Sequence, residues 1–93
     1  HDVRTGTLLW TFHTVPQPGE PGHESWVGDA WRDAGKVTVW TAMSADADLG
    51  YLSVPTNTTA PDFYGGHRPG DNRYAESLLC LDVKTGRRVW SFQ

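Results

Sequence analysis

Short runs of apolar and β-branched residues recur along the chain, separated by segments rich in Gly, Pro and Asp. The runs SLLCL at 77–81 and VWSF at 89–92 predict two extended strands. Between them lies DVKTG, in which the Asp side chain can accept backbone N–H bonds and Gly86 can supply a positive φ. Together these three pieces predict a β-hairpin.

The middle of the chain predicts two more strands. Residues 36–43 are rich in β-branched and aromatic side chains, residues 50–56 form a second such run, and 44–50 reads as the turn between them. The remaining segments, 15–35 and 57–76, are long loops rich in Gly, Pro and polar residues. Because no stretch has a convincing helical period, the pattern favours an all-β structure.

The first hairpin sequence occurs twice. DVRTGTLLWTF at 2–12 and DVKTGRRVWSF at 82–92 share the pattern D-V-[RK]-T-G-x-x-x-W-x-F. Such recurrence is typical of arrays of small sheets that cover one another's faces, and a four-stranded antiparallel blade is the unit of a β-propeller. We therefore divide the chain into the final hairpin strand of one blade at 1–14, a channel-side loop at 15–35, and one complete blade at 36–93.

Composition changes this picture in one respect. With 93 residues, 38% hydrophobic, the chain is globular in character, but a chain this short buries only about 60–65% of its unfolded surface and would be marginally stable alone. Its single cysteine, Cys80, excludes an internal disulfide. About one and a half blades cannot close a ring, so we expect these residues to be a fragment of a longer propeller, completed by its remaining blades.

Charge and hydropathy exclude two functional classes. The net charge of −3 argues against a nucleic-acid partner, because phosphate binding favours a basic face. No apolar run approaches the length needed to span a bilayer. By contrast, five tryptophans in so short a chain call for a structural or ligand-binding explanation.

The D-x-x-T-G-x-x-x-W pattern resembles the tryptophan-docking motif of the quinoprotein alcohol and sugar dehydrogenases, which are eight-bladed propellers. WTFHTVPQPGE at 10–20 and DFYGGHRPGDN at 62–72 resemble segments of the glucose-dehydrogenase-like branch, the second through its (D/N)-x-(Y/W)-G-G-x-R-x-G-(D/N)-N loop. SWVGDAW at 25–31 resembles a W-x-x-D-A-W segment of the methanol-dehydrogenase branch. The similarity covers nearly the whole chain.

The resemblance implies the cofactor pyrroloquinoline quinone (PQQ), held with Ca²⁺ in the central channel. The family's cofactor-facing tryptophan stands six residues before the Asp of the next turn; here that Asp is Asp46 and the tryptophan is Trp40. Two residues earlier, Thr38 takes the place of a threonine whose hydroxyl contacts PQQ. Alternation along a strand would put both side chains on one face, although without the resemblance Trp40 would be ordinary strand core.

The position of a family calcium ligand differs here. In the methanol-oxidising branch an Asn lies 12 residues after the turn Asp and ligates Ca²⁺; this chain has Thr58 there, with Asn57 beside it. A hydroxyl is a weaker ligand than an amide oxygen. The sugar-oxidising branch also lacks this Asn, so the resemblance favours a glucose-type enzyme, with Asn57 as the candidate metal ligand if the loop shifts by one residue.

Other residues are assigned by motif and by loop. Blade docking is assigned to Trp10 and Trp90 together with Gly6 and Gly86, because a flat indole fills the wedge between twisted sheets. Candidates for the substrate-binding pocket mouth are His23 and Glu24, with an exposed polar loop as the alternative. Trp26 and Trp31 flank a loop, and loop packing is favoured for them over core, channel lining or a substrate wall. Further structural assignments are a small buried hydrophobe at Cys80 and a loop-holding Arg68 paired with Asp62, Asp71 or backbone carbonyls.

The resemblance implies oxidation of a sugar or alcohol, with electrons passed to a quinone or a cytochrome. It also implies a periplasmic location, with the protein soluble or anchored to the inner membrane by other segments. The catalytic Asp is expected beyond Gln93, so this part of the enzyme would be inactive alone. The alternatives are a non-catalytic propeller that scaffolds protein assembly, and a free-standing binding module of unrelated fold.

Overall fold

The computed structural model describes residues 1–33, 35–60 and 64–93. Its four strands form one antiparallel sheet in the order of the chain, which confirms the all-β prediction. Two single turns of helix lie in the first long loop, too short to leave a helical period in the sequence. The elements are the 3₁₀ turn His23–Ser25, α1 (Ala30–Asp33), β1 (Ser44–Asp46), β2 (Tyr51–Pro55), β3 (Leu78–Asp82) and β4 (Arg88–Phe92).

The core of the sheet lies on its central strands. Val54 of β2 and Leu79 and Leu81 of β3 are buried, and they cluster with the buried ring of Tyr74. Val54 pairs directly with Leu79 across the two strands, so cross-strand apolar contacts and backbone bonds reinforce each other. Cys80, also on β3, is buried and free, as predicted.

The strand predicted at 36–43 is wrong; the structure has its first strand at Ser44–Asp46 instead. The chain does run antiparallel to β2, since Thr38 bonds to Asn57 and Ser44 pairs with Ser53. Six positions separate Thr38 from Ser44, however, whereas only four separate Ser53 from Asn57. The two excess residues cannot join the ladder, so residues 39–43 form a bulge between the two paired points.

The N-terminal segment 1–14 was predicted to supply a hairpin strand, but the structure has no strand there. A strand needs a hydrogen-bonded neighbour, and within the described residues none pairs with this segment. It packs instead through side chains, with Trp10 and Phe12 lying against the sheet core. The division of the chain into blades stays a prediction.

Trp10 joins the first copy of the repeat to the last. Its indole N–H donates to the Val83 carbonyl at 2.7 Å, and its ring lies directly on Gly86, where an added Cβ would overlap the indole carbons. Gly86 also has φ +71°. Glycine is therefore required at this position for both space and backbone conformation.

The turns before Gly86 and Gly50 share one architecture. The Asp82 carboxylate accepts the N–H groups of Lys84 at 2.8 Å and Thr85 at 3.0 Å, and Gly86 N–H bonds to the Asp82 carbonyl. The Thr85 bond, followed by that of Lys84, holds the pKa of Asp82 below its usual value. Asp46 and Gly50 close the β1–β2 turn in the same way. This turn has the hydrogen bonds of the repeated Asp-to-Gly turn, although its sequence, DADLG, lacks the Thr and so does not match the repeated pattern.

A second core lies beneath the long loops. Trp26 is buried with Val37 and Ala75, and the partly buried Trp31 packs against them. The Trp26 indole N–H donates to the Arg73 carbonyl at 3.2 Å. The predicted loop-packing role of Trp26 is thus confirmed, and the two long loops hold each other in place.

We predict that Gly86→Ala destabilises the protein more than Gly50→Ala. Both glycines have φ near +70°, so an alanine at either costs about 1–2 kcal/mol for its left-handed backbone. Only the Gly86 methyl also meets Trp10, while the Gly50 site has nothing within 4 Å, which adds roughly 1–3 kcal/mol of overpacking. Urea unfolding would measure the difference, and equal losses at the two sites would contradict it.

Candidate functional site

The bulge carries Trp40 to the edge of an open cleft of about 850 Å³. Trp40 is 80% exposed and is the most exposed of the five tryptophans. Its ring is therefore not strand core. The walls of this Trp40 cleft come from three places: the residues that follow β2, the first residue of β3 with the two before it, and the last residue of β4 with the one after it. These residues are Thr56, Asn57, Thr58, Glu76, Ser77, Leu78, Phe92 and Gln93.

Thr38 lies at the base of the bulge and is held by Asn57. Its backbone N–H and its hydroxyl both donate to the Asn57 amide oxygen, at 2.7 and 2.8 Å. Strand alternation was expected to align Thr38 with Trp40, but no strand forms there. The two are instead connected through Asn57, which bonds to Thr38 and lines the cleft beside Trp40.

Asn57 is placed poorly to hold a cation. An amide oxygen has two lone pairs, and both are engaged by Thr38. Within the described residues there is also no cluster of three or more His, Cys, Asp or Glu side chains that could hold a metal ion. The geometry gives Asn57 a structural task in this cleft.

Glu76 is a cleft residue that sequence reasoning missed. Among the described residues that line the Trp40 cleft it is the one with a carboxylate side chain, and its backbone has φ +47°. Its N–H donates to the Asn57 carbonyl at 3.0 Å. The sequence offered no signal for it, because a Glu at the end of a polar loop has many possible surroundings.

The predicted pocket-mouth residues lie away from this cleft. His23 is half-buried, with its Nδ1 2.9 Å from the Pro16 carbonyl and its ring edge-to-face with Trp31. Glu24 is exposed and reaches Arg73 at 3.5 Å. The structure does not bring either of them together with Trp40.

Arg68 connects the G-G-x-R-x-G loop to the cleft wall. Its guanidinium donates to Asn72 at 3.0 Å and reaches the Thr58 hydroxyl at 3.5 Å. The loop-holding role expected for Arg68 is therefore performed through Asn72, while Asp62, one of its proposed partners, lies outside the described residues. Because Thr58 lines the Trp40 cleft, Arg68 places a positive charge behind that wall.

A second cleft, of about 370 Å³, contains a hydrogen-bonded His–Glu pair that the sequence did not suggest. His13 Nδ1 lies 2.7 Å from a Glu20 carboxylate oxygen. The Gln17 N–H donates to the other oxygen at 2.8 Å, and this bond, more than the His13 contact, lowers the pKa of Glu20. The pair closes the start of the first long loop.

The docking motifs are only half engaged within the chain. Trp10 lies on Gly86, whereas Trp90 is 44% exposed. An added Cβ at Gly6 would meet nothing within 4 Å. The Trp90 indole and Gly6 are therefore both open to further packing, at opposite ends of the repeat.

Residues 1–93 match the family model described as PQQ: glucose/ethanol/alcohol dehydrogenase, beta-propeller domain. The chain belongs to this family of PQQ β-propeller dehydrogenases. One contact of the tryptophan-docking motif that carries the resemblance, Trp10 on Gly86, is formed within this chain.

Individual relatives agree with this assignment. The chain is 36% identical to quinoprotein glucose dehydrogenase A of Acinetobacter calcoaceticus and 35% identical to the glycerol dehydrogenase large subunit of Gluconobacter oxydans, over 100% of its own length. The solved quinohemoprotein alcohol dehydrogenase of Comamonas testosteroni aligns with 76% of this chain at TM-score 0.66 and 32% identity. The chain spans only 11–12% of these proteins.

The same substitution at two tryptophans should separate packing from ligand binding. Trp26 is 2% exposed and Trp40 80%, so we expect Trp26→Ala to cost about 3–5 kcal/mol of unfolding free energy and Trp40→Ala to stay within about 0.5 kcal/mol. Chemical unfolding would test both. A large loss for Trp40→Ala would show that its ring is packed and not open to a ligand.

Proposed function

We propose that this chain is part of a PQQ-dependent dehydrogenase that oxidises a glucose-like sugar or an alcohol, and that it supplies one wall of the cofactor pocket. The observation that carries the proposal is the exposed Trp40 ring beside the cleft. An indole open on one side offers a flat apolar surface to a planar aromatic ligand, and offset stacking adds about 0.5–1.5 kcal/mol beyond the buried area.

The residues of the cleft fit such a ligand. Trp40 would stack on the ring system of PQQ. Thr38, at the base of the bulge, donates its hydroxyl hydrogen to Asn57 and would offer the lone pairs of its hydroxyl oxygen as acceptors. When bound, PQQ supplies the redox chemistry, and the protein binds and orients it. This chain would contribute orientation, with Arg68 adding positive charge behind Thr58.

The substrate class rests on a single position. Relatives named as glucose and as alcohol dehydrogenases match at similar identity, 36% and 35%, so identity does not separate them. Thr58 stands where the methanol-oxidising branch has an Asn, which favours the sugar-oxidising branch. The proposed Ca²⁺ would then take its ligands from outside residues 1–93, because the Asn57 amide oxygen is already engaged twice.

The remaining partners follow from the same proposal. The outward-facing Trp90 and the open Gly6 support docking onto the remaining blades at both ends of the repeat. Electrons would pass to a quinone or a cytochrome, and the enzyme would work in the periplasm, soluble or anchored to the inner membrane by other segments. In the part of the chain that the structure describes, no helix is long and apolar enough to cross a bilayer.

Binding of PQQ to the full-length protein tests the central claim. Titration followed by tryptophan fluorescence should show quenching in the wild type, and Trp40→Ala should weaken PQQ binding by roughly tenfold because the stacking surface is lost. Tyr64→Ala is a suitable control, since Tyr64 is an aromatic residue that is 61% exposed and is not among the described residues that line the cleft. Equal affinities for wild type and Trp40→Ala would refute the cofactor role of Trp40.

The 93-residue chain by itself should be inactive. The relatives are about eight to nine times longer, and the Trp40 cleft is open, so most of the pocket would have to come from other blades. We expect no dye reduction when this chain is supplied with PQQ, Ca²⁺ and glucose, under conditions where the full-length protein is active. Turnover by the short chain would show that its own residues include a sufficient base.

A further inference from the structure

The bulge that carries Trp40 is fixed at both ends by its pairing to the strand beside it. At one end Ser44 pairs with Ser53 in the regular ladder. At the other end Thr38 meets Asn57, two residues beyond the end of β2. Within the part of the chain that the structure describes, residues 39–43 make no backbone hydrogen bond of their own, so the position of Trp40 is set at the two ends of the bulge. At the Thr38 end, Asn57 acts beside the buried Val37, whose carbonyl accepts the Thr14 hydroxyl at 2.7 Å.

Asn57 closes this second contact in an unusual way. In a regular antiparallel pair its carbonyl would accept the Thr38 N–H, but that carbonyl instead accepts the Glu76 N–H at 3.0 Å. The side-chain oxygen of Asn57 replaces it and accepts both the N–H and the hydroxyl of Thr38. The Asn57 N–H completes the pair by donating to the Thr38 carbonyl at 3.0 Å.

We propose that Asn57 is a positioning residue that holds the base of the bulge and thereby sets Trp40 at the cleft. The ligand of Trp40 rests on the proposed function, whereas the three hydrogen bonds between Asn57 and Thr38 do not depend on it. This role replaces that of a cation ligand, since both lone pairs of the amide oxygen serve the bulge. It also explains why a residue that lines the cleft has its polar end turned towards the backbone.

The chemistry of the contact predicts which substitutions preserve it. An aspartate at position 57 keeps an oxygen acceptor at the same distance from the backbone, so Asn57→Asp should retain both bonds from Thr38. Asn57→Ala removes the acceptor and leaves two half-buried donors without it. The matched control is Thr58→Ala, because Thr58 is adjacent and lines the same cleft but bonds to Arg68.

Amide hydrogen exchange of the full-length protein without PQQ tests the geometry directly. The Thr38 amide should exchange roughly threefold to tenfold faster in Asn57→Ala, because the loss of one hydrogen bond changes the local opening equilibrium by about that factor. Exchange in Asn57→Asp and Thr58→Ala should stay close to wild type. If Asn57→Ala does not fold, Thr38→Val, which loses one bond of the three, should still raise exchange at position 38.

PQQ titration of the same proteins tests the consequence for Trp40. We expect about tenfold weaker binding for Asn57→Ala and near-normal binding for Asn57→Asp. Amide exchange serves for the double variant, because Thr38 is itself a proposed PQQ contact. Asn57→Ala/Thr38→Val should protect the amide at position 38 no less than Asn57→Ala does, because both changes break one contact. Additive losses would mean that the two residues act separately.

Three results would overturn the proposal. The first is an unchanged exchange rate of the amide at position 38 in Asn57→Ala. If Asn57→Ala does not fold, an unchanged rate in Thr38→Val has the same meaning. The second is an Asn57→Asp protein as impaired as Asn57→Ala. The third is weaker Ca²⁺ binding in Asn57→Ala with unchanged exchange, which would make Asn57 a cation ligand. If exchange responds as expected but the wild type binds no PQQ, the positioning role stands and the proposed function fails.

Discussion

The packing of Trp10 on Gly86 is the contact on which the rest of the structure depends. It brings the first copy of the repeated motif onto the turn of the last copy, and the indole N–H fixes the alignment through the Val83 carbonyl. Trp10 and Phe12 can then cover the apolar face of the two central strands. Without this cover the apolar side of the central strands would be exposed to water, which is unfavourable for a soluble protein.

The candidate site depends on a different constraint, the unequal lengths of two facing segments. The chain between Thr38 and Ser44 is two residues longer than the stretch opposite it, so residues 39–43 leave the ladder. Bulges of this kind commonly redirect a side chain next to a binding site. Here the redirected side chain is Trp40, and Asn57 holds the end of the bulge that the regular sheet does not reach.

Features with local causes could be predicted. The Asp-to-Gly turn before Gly86 and the strand at 77–81 follow from neighbouring residues, and both are present. Predictions that needed register were less successful. The segment predicted as a strand at 36–43 contains the bulge at 39–43. The loop residues His23 and Glu24 lie away from the cleft, because His23 is held inside its own loop by Pro16 and Trp31 while Glu24 reaches the distant Arg73.

The sequence by itself determined the class of fold and the family, since repeated turns, apolar alternation and spaced motifs are properties of short segments. It also singled out Trp40, but only through resemblance. The tertiary structure alone decided that the Trp40 ring is open to a cleft, that Glu76 lines the same cleft, and that the Asn57 oxygen faces Thr38. These facts depend on how many residues lie between paired points on neighbouring segments, and pairing is established only when the chain folds.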